Sequence, residues 1–399
     1  MARRSCSTTD AAALAAEVRR GVRGGASVAD SVRQIVASVR SGGDRALLEY
    51  EERFGGGGAL RVSSQELDAA LRALDPDVRA GLEVAIENVR AVAEAGVDAE
   101  SAVELRQGHS VRLREQPVAR AAVYVPAGRN PYPSTVVMGA VTARAAGVDE
   151  VVVASGDHPA ILAACALCGV DEVFRMGGAQ AIAALAYGTE TVPAVDVIVG
   201  PGSLWVQEAK RQVSGDVGID GFAGPSDLTV ILSAGADPEP LRLDLLAQAE
   251  HGEDSLVVAV SDDAALLDAL GGVATEVLAD SMDAALAFSE ALAPEHLQLA
   301  GGAAEALAPR VRRAGCLFVG GGAGTAFGDY VAGSNHTLPT GGAARFASGL
   351  SARHFRRRMA EVRIGGASAA LARAGAPIAR AEGFPGHAAS MEIRENPRS

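Results

Sequence analysis

What most restricts the folding of this chain is an alternation of short apolar runs with helix-like segments. It reads as strand Glu150–Ala154, helix Pro159–Cys168, strand Glu172–Met176, helix Gln180–Tyr187, strand Val195–Val199 and helix Leu204–Val213. Short strands separated by helices of about 10–15 residues specify a parallel sheet with right-handed crossovers. The same grammar returns at Leu228, with strands Leu228–Leu232, Ser255–Val260, Leu297–Ala300 and Cys316–Gly320. Helices Pro238–Glu250, Asp263–Leu270, Met282–Ala291 and Ala303–Arg313 lie between them. No short-period repeat accompanies the two sets, so they share architecture only. The expected fold class is α/β, with two parallel-sheet domains.

The flanks read differently. Helices are expected over Asp10–Arg20, Val28–Arg40, Arg45–Phe54, Ser64–Ala73 and Asp75–Ala95, with Gly55–Gly58 as a break. Val111–Arg114 and Ala121–Val125 are strand-like, Pro126-Ala127-Gly128 ends the second, and Ser134–Ala146 is helical. After Gly349 come helices Ala352–Val362 and Ala367–Ala381, then the polar tail Asn396–Ser399. The expected division is a helical segment over 1–109 packing partly with the second α/β domain, α/β domains over 110–225 and 226–350, and a helical segment over 351–399.

With 399 residues and 48% hydrophobic content the chain has ample core. Its 36 Lys and Arg against 49 Asp and Glu give a net charge of −13, which argues against nucleic acid or an anionic membrane as partner. A small molecule is the better expectation. Neither a membrane span nor a signal core is evident, so the reading is cytoplasmic. Four cysteines are too few for a disulfide scaffold, and Cys165-x-x-Cys168 lies in an apolar helical run, where two small buried thiols are expected.

Three glycine-rich turns, Gly177-Gly178-Ala179-Gln180, Gly200-Pro201-Gly202-Ser203 and Gly224-Pro225-Ser226-Asp227, lead to a helix ending Gln248-Ala249-Glu250-His251. The first two join a strand to a helix and offer backbone N–H groups to an anionic ligand. Gly200 begins a near match to the dinucleotide fingerprint, but Trp205 stands where the third glycine belongs, and a tight structural turn is the equal alternative. Gln248 and His251 share a helix face. Alone, the pair is more often a helix end whose His meets the dipole. With Asp329, His336 and His387 in loop-like surroundings, two imidazoles, a carboxylate and an amide oxygen would suit zinc and leave room for substrate donors. Pro294-Glu295-His296-Leu297 sets two proton acceptors side by side at the mouth of a strand; without context such a pair is a solvated loop end.

Taken together, these motifs resemble the histidinol dehydrogenase family, from about Ser110 to Arg394. The resemblance is carried by Tyr124-Val125-Pro126, the run Gly177–Gly188, Gly200-Pro201-Gly202 before Glu208-Ala209-Lys210-Arg211, and Ala223-Gly224-Pro225-Ser226. Gln248-Ala249-Glu250-His251, Pro294-Glu295-His296-Leu297, Gly328-Asp329-Tyr330 and Asn335–Thr340 complete it. It implies two Rossmann-like domains and oxidation of L-histidinol to L-histidine, the last step of histidine biosynthesis, with NAD in two hydride transfers through a bound aldehyde. One Zn2+ per subunit would be held by Gln248, His251, Asp329 and His387, orienting the substrate. His296 would take the alcohol proton and Glu295 would activate water. Ser226, His336 and Glu382 would meet substrate, as would His296 and the four zinc ligands, while Tyr124, Gln180 and Ser203 would meet NAD. The resemblance also implies a homodimer whose C-terminal segment completes the neighbour's site.

This chain departs from the family pattern at several points. Ser203 replaces the usual Asn, Asp227 replaces Glu, and Val125-Pro126-Ala127-Gly128 replaces a double-glycine turn. The interval from His251 to Glu295 is short, as if part of a helix and a strand were missing. Two other readings are a dehydrogenase of another primary alcohol and a non-catalytic metal-binding paralogue. Retention of His336 and Glu382 speaks against the first, and of Glu295 and His296 against the second.

Overall fold

The computed structural model describes residues 3–21, 27–126, 130–170, 172–252 and 254–395. The turn residues Ala127 and Gly128 and the tail Asn396–Ser399 lie outside them. The chain divides into two compact units, Met1–Gly96 with Val118–Phe355, and Val97–Pro117 with Arg356–Ser399. In chain order the strands are β1 (Arg4–Cys6), β2 (Ser101–Glu104), β3 (Ser110–Pro117), β4 (Arg120–Tyr124), β5 (Glu150–Ser155), β6 (Glu172–Arg175) and β7 (Val197–Val199). There follow β8 (Gly218–Ile219), β9 (Asp227–Leu232), β10 (Leu256–Ser261), β11 (Thr275–Ala279), β12 (His296–Ala300), β13 (Cys316–Val319) and β14 (Arg356–Arg363).

The larger unit holds two parallel sheets. One runs β6-β5-β4-β7-β8 and the other β1-β11-β10-β9-β12-β13. Numbered within each α/β set, both follow the order third, second, first, fourth, fifth, with β1 added beyond β11. In both, the winding direction reverses between the first and fourth strands, at β4/β7 and at β9/β12. Because helices cover both faces, the strands are continuously apolar: Ala121–Tyr124 in β4 and Val151–Ala154 in β5 are all buried. The helix Gly178–Tyr187 buries Ala179–Ala186 entirely, and its core includes Val32, Ile35, Val36 and Val39 of the helix Ala29–Arg53. Around the second sheet, Ala11, Ala15 and Val18 of the helix Ala11–Arg20 join Ala285, Phe288 and Leu292 of the helix Met282–Leu292.

Several expectations are corrected. The helical stretch Ala29–Arg53 is not among them: it breaks at Gly43, whose φ is 56°, so two helices meet there, between the expected Val28–Arg40 and Arg45–Phe54. A side chain there would meet the Glu190 carboxylate at 2.3 Å, and that carboxylate accepts the Asp44 N–H at 2.7 Å. The N-cap at Ser63 closes a reciprocal capping box with Glu66. Instead of one helix over Ala303–Arg313 there is a short helix, Gly302–Glu305, and a 3-10 turn, Ala308–Arg310, because Pro309 cannot continue a helix. Strands β1, β2, β8 and β11 were not foreseen. β11 lies in the interval that reads as lacking a strand, and the second sheet is complete with β1 at its edge.

In the smaller unit the expected helix Ala352–Val362 gives way to β14. Its residues Arg356–Arg363 pair antiparallel with Pro117–Ser110 of β3, which also pairs β2. Arg-Arg-Arg-Met-Ala-Glu is rich in good helix formers. Cross-strand charge overrides that tendency: Arg358 bonds the buried Glu115, and Arg114 faces Glu361 at 3.6 Å. Helices Ser368–Ala381 and Pro385–Glu392 meet through Ala376, Ala379 and Ala388.

Candidate functional site

Glu295 and His296 are delivered to the start of β12 by a strained turn. The helix Met282–Leu292 ends at Ala293, whose φ of 49° is the only positive value among described non-glycine residues. Holding alanine there costs roughly 1–2 kcal/mol. β9 lies beside β12, with Leu228 opposite His296. A reciprocal lock joins the two strand starts: the Glu295 N–H donates to Asp227 Oδ1 at 2.7 Å, and the Asp227 N–H donates to Glu295 Oε2 at 3.0 Å. Ser226 Oγ donates to the same Oε2 at 2.5 Å and in turn accepts Gln248 Nε2 at 2.7 Å. Asp227 Oδ2 faces Arg19 Nη1 at 3.4 Å, so the shorter acid at this position has a partner for each oxygen.

Burial dominates the electrostatics. It pushes Glu295 up to about 7, opposed by His296 and the Ser226 bond. It also raises Asp227, against Arg19. For His296 burial acts downward, but Asp329, Glu295 and Asp227 outweigh it and the imidazole is raised. Asp329 is lowered, since His296 with His336 and His251 outweighs burial. His296 Nε2 lies 3.5 Å from Asp329 Oδ1, and its Nδ1 is a buried atom with no hydrogen-bond partner, 3.9 Å from Glu295 Oε2. A proton held on Nε2 toward Asp329 leaves Nδ1 as the acceptor.

These groups open on a cavity of about 500 Å³, whose walls include Ser226, His251, Glu295, His296, Asp329 and His336. His336 Nδ1 donates to the Asp329 carbonyl at 2.9 Å, leaving Nε2 to accept the Thr135 hydroxyl at 3.3 Å. Burial lowers this imidazole. Its loop is anchored to a π-turn, Val137–Val141, where Asn335 Nδ2 donates to the Met138 carbonyl at 3.0 Å. His251 is exposed, and its Nδ1 lies 3.2 Å from the Gln248 carbonyl. That carbonyl can only accept, so Nδ1 carries the proton and the Nε2 lone pair is free.

Among the described residues no group of three or more His, Cys, Asp or Glu is placed to hold a metal. What the larger unit offers is an imidazole in the ligating tautomer and a carboxylate on one cavity, with Gln248 directed by its Nε2 toward Ser226 and Ser255. Such a nitrogen and oxygen pair suits zinc and leaves positions open. Glu382 and His387 belong to the smaller unit, at the end of the helix Ser368–Ala381 and in the helix Pro385–Glu392.

A second cavity, of about 840 Å³, collects Tyr124, Gln180 and Ser203 with Glu51 and Trp205. Ser203 lines both cavities. Tyr124 Oη accepts the Gly178 N–H at 3.0 Å, and Glu51 Oε1 accepts both the Gly177 N–H at 2.9 Å and Gln180 Nε2 at 3.0 Å. Burial raises the Glu51 carboxyl. Gly200, with φ of 118°, packs so tightly that a Cβ would lie 2.1 Å from the Tyr124 carbonyl oxygen. Its N–H and C=O are both held by a buried ion pair, Asp220 Oδ2 at 2.7 Å and Lys210 Nζ at 3.0 Å. Ser203 occupies the N-cap of the helix Leu204–Val213 but makes no side-chain cap bond. Sequence reasoning missed Glu51, Arg19, Thr135 and Asp220, none of which lies in a motif, and it noted Asp227 only as the end of a glycine-rich turn and as a departure from the family pattern. Cys165 is buried and Cys168 half-buried, both free.

A family model described as histidinol dehydrogenase matches residues 18–276 and 268–395. Histidinol dehydrogenase of Rhizobium meliloti is 40% identical over 396 residues, covering 92% of this chain and 91% of its own. That of Synechococcus sp. is 41% identical over 397 residues, covering 92% of each. The crystal structure of histidinol dehydrogenase from Elizabethkingia anophelis superposes with a TM-score of 0.91 at 28% identity, covering 98% of each chain.

Proposed function

We infer the function from one premise: the chain belongs to the histidinol dehydrogenase family. It is an enzyme, and its reaction is the oxidation of L-histidinol to L-histidine through L-histidinaldehyde, the last step of histidine biosynthesis. The observation that carries this reading is the buried Glu295–His296 pair on the cavity shared with Ser226, His251, Asp329 and His336. His296 receives the alcohol proton as hydride leaves. Glu295, its Oε2 held by Ser226 and the Asp227 N–H, takes a proton from the water that attacks the aldehyde. Two sequential oxidations demand two acceptors of this kind, and the adjacent residues supply them.

Gln248, His251, Asp329 and His387 would hold zinc, which supplies a Lewis-acidic anchor that orients the substrate. The free Nε2 of His251 and the lowered carboxylate of Asp329 support the assignment. Ser226, His336 and Glu382 would contact substrate. NAD, the hydride acceptor, would occupy the cavity of Tyr124, Gln180 and Ser203. By this division 110–225 is the cofactor side, 226–350 the zinc and catalytic side, and 351–399 a dimerisation segment. Glu382 and His387 would come from the partner chain of a homodimer. No helix among the described residues is long and apolar enough to cross a membrane, and the proposed location is the cytoplasm. The test is NADH formed per L-histidinol consumed, with and without chelator. Two NADH and loss with chelator are expected; one NADH with free aldehyde would overturn the mechanism.

A further inference from the structure

The N-terminus of the helix Gly178–Tyr187 opens on the larger cavity, and helix starts of this kind attract anions. Here it is met by an anion of the chain's own. Glu51, 8% exposed, spends Oε1 on the Gly177 N–H and on Gln180 Nε2. A phosphate placed there would have to displace this carboxylate or sit against it. The remaining charge on the walls points the same way. Asp157, just beyond β5, is a second acid. Arg175 is the one cation among the described lining residues, and its Nη2 is paired with Glu66 at 2.6 Å.

Glu51 retains capacity to accept. Oε2 has no hydrogen-bond donor among the described residues and lies beside Gly56, where a Cβ would come within 2.7 Å of it. Gly55, Gly56 and Gly57 line the cavity without side chains, so a ligand can approach the carboxylate closely. A carboxylate with a free oxygen is the group that dinucleotide sites use to receive the vicinal hydroxyls of a ribose, and it repels a ribose that carries an additional phosphate.

We propose that Glu51 is a specificity-determining residue of the cofactor cavity, accepting the ribose diol of the dinucleotide and rejecting a phosphorylated ribose. This rests on the reading that the cavity takes NAD. Trp205, the single tryptophan of the chain, lines the same cavity and reports binding without catalysis. Its fluorescence is titrated with NAD and with NADP in the unaltered protein, Glu51→Gln and Glu51→Ser, and thermal melting is recorded for each. The amide of Glu51→Gln keeps an oxygen for the Gly177 N–H and Gln180, so that variant isolates charge from fold. The unaltered protein is expected to bind NAD at least tenfold more tightly than NADP. Both variants should narrow the ratio to within about threefold, mainly through tighter NADP, at least fivefold. If Glu51 only braces the turn, the melting temperature falls while the NAD to NADP ratio stays put, and the inference is overturned. An unaltered protein that binds neither dinucleotide would overturn the cofactor reading itself; bound NAD with an unmoved ratio overturns this inference alone.

Discussion

Glu295→Gln should make the metal-free protein more stable at pH 8 than the unaltered chain. Glu295 ionises near 4.5 in an unfolded chain, whereas burial raises it to about 7 in the fold. Between those values the folded protein keeps a proton that the unfolded chain has released, so stability falls as pH rises. The contribution is whole below 4.5 and lost as pH climbs through 7. A displacement of that size corresponds to a penalty on the order of 3 kcal/mol, of which roughly 1 is already present at pH 5. The near-isosteric amide cannot ionise, and its oxygen still accepts from Ser226 or the Asp227 N–H. The stability gap between variant and unaltered protein should therefore widen, in favour of the variant, by roughly 2–3 kcal/mol from pH 5 to pH 8. Urea unfolding of chelator-treated protein, followed by Trp205 in the same compact unit, measures it. A gap that stays constant within about 0.5 kcal/mol would refute the argument, because it would mean the Asp227 lock and Ser226 hold the carboxylate ionised at no cost.

Two further outcomes follow from the site. Ser203→Asn should tighten NAD binding about fivefold, or about 1 kcal/mol if one hydrogen bond is regained; since Ser203 makes no cap bond, the melting temperature should not change, and equal NAD affinity with a lower melting point would restore a capping role. Mixing inactive His251→Ala with inactive His387→Ala subunits should recover roughly a quarter of full activity if sites are shared across a two-fold dimer, since about half the dimers are mixed and each has one intact site. Demonstrated subunit exchange without recovery would reject the shared site.

Much of the architecture was legible because buried parallel strands are continuous apolar runs. Leu204–Val213 and the central strands β5 and β9 differ from their sequence readings by a residue at most. What was illegible depends on partners remote in sequence. β1 is three residues whose only reason to be extended is the edge of β11. β14 is helix-prone until β3 and its acids lie beside it. The chemistry was legible only as motifs in order, which named Glu295 and His296 but could not reveal that Asp227 locks Glu295, each carboxylate accepting the other's backbone N–H. Glu51 sits on an N-terminal helix 126 residues before the Gly177 turn it meets, with nothing local to mark it.

The edge strand has a consequence for biogenesis. Arg4 pairs with Val277, so the segment that borders the second sheet leaves the ribosome long before its acceptor exists. At roughly 5–20 residues per second, the 272 residues between Arg4 and Val277 take about 14 to 54 s to make. Throughout that time the apolar face of Ala11, Ala15 and Val18 has neither β11 nor the helix Met282–Leu292 to cover it. Arg19, from the same helix, cannot reach Asp227 until the segment docks. The nascent chain thus carries this apolar segment without its final cover for most of its synthesis, and the sheet β6-β5-β4-β7-β8 can be complete while the second sheet still waits for β11.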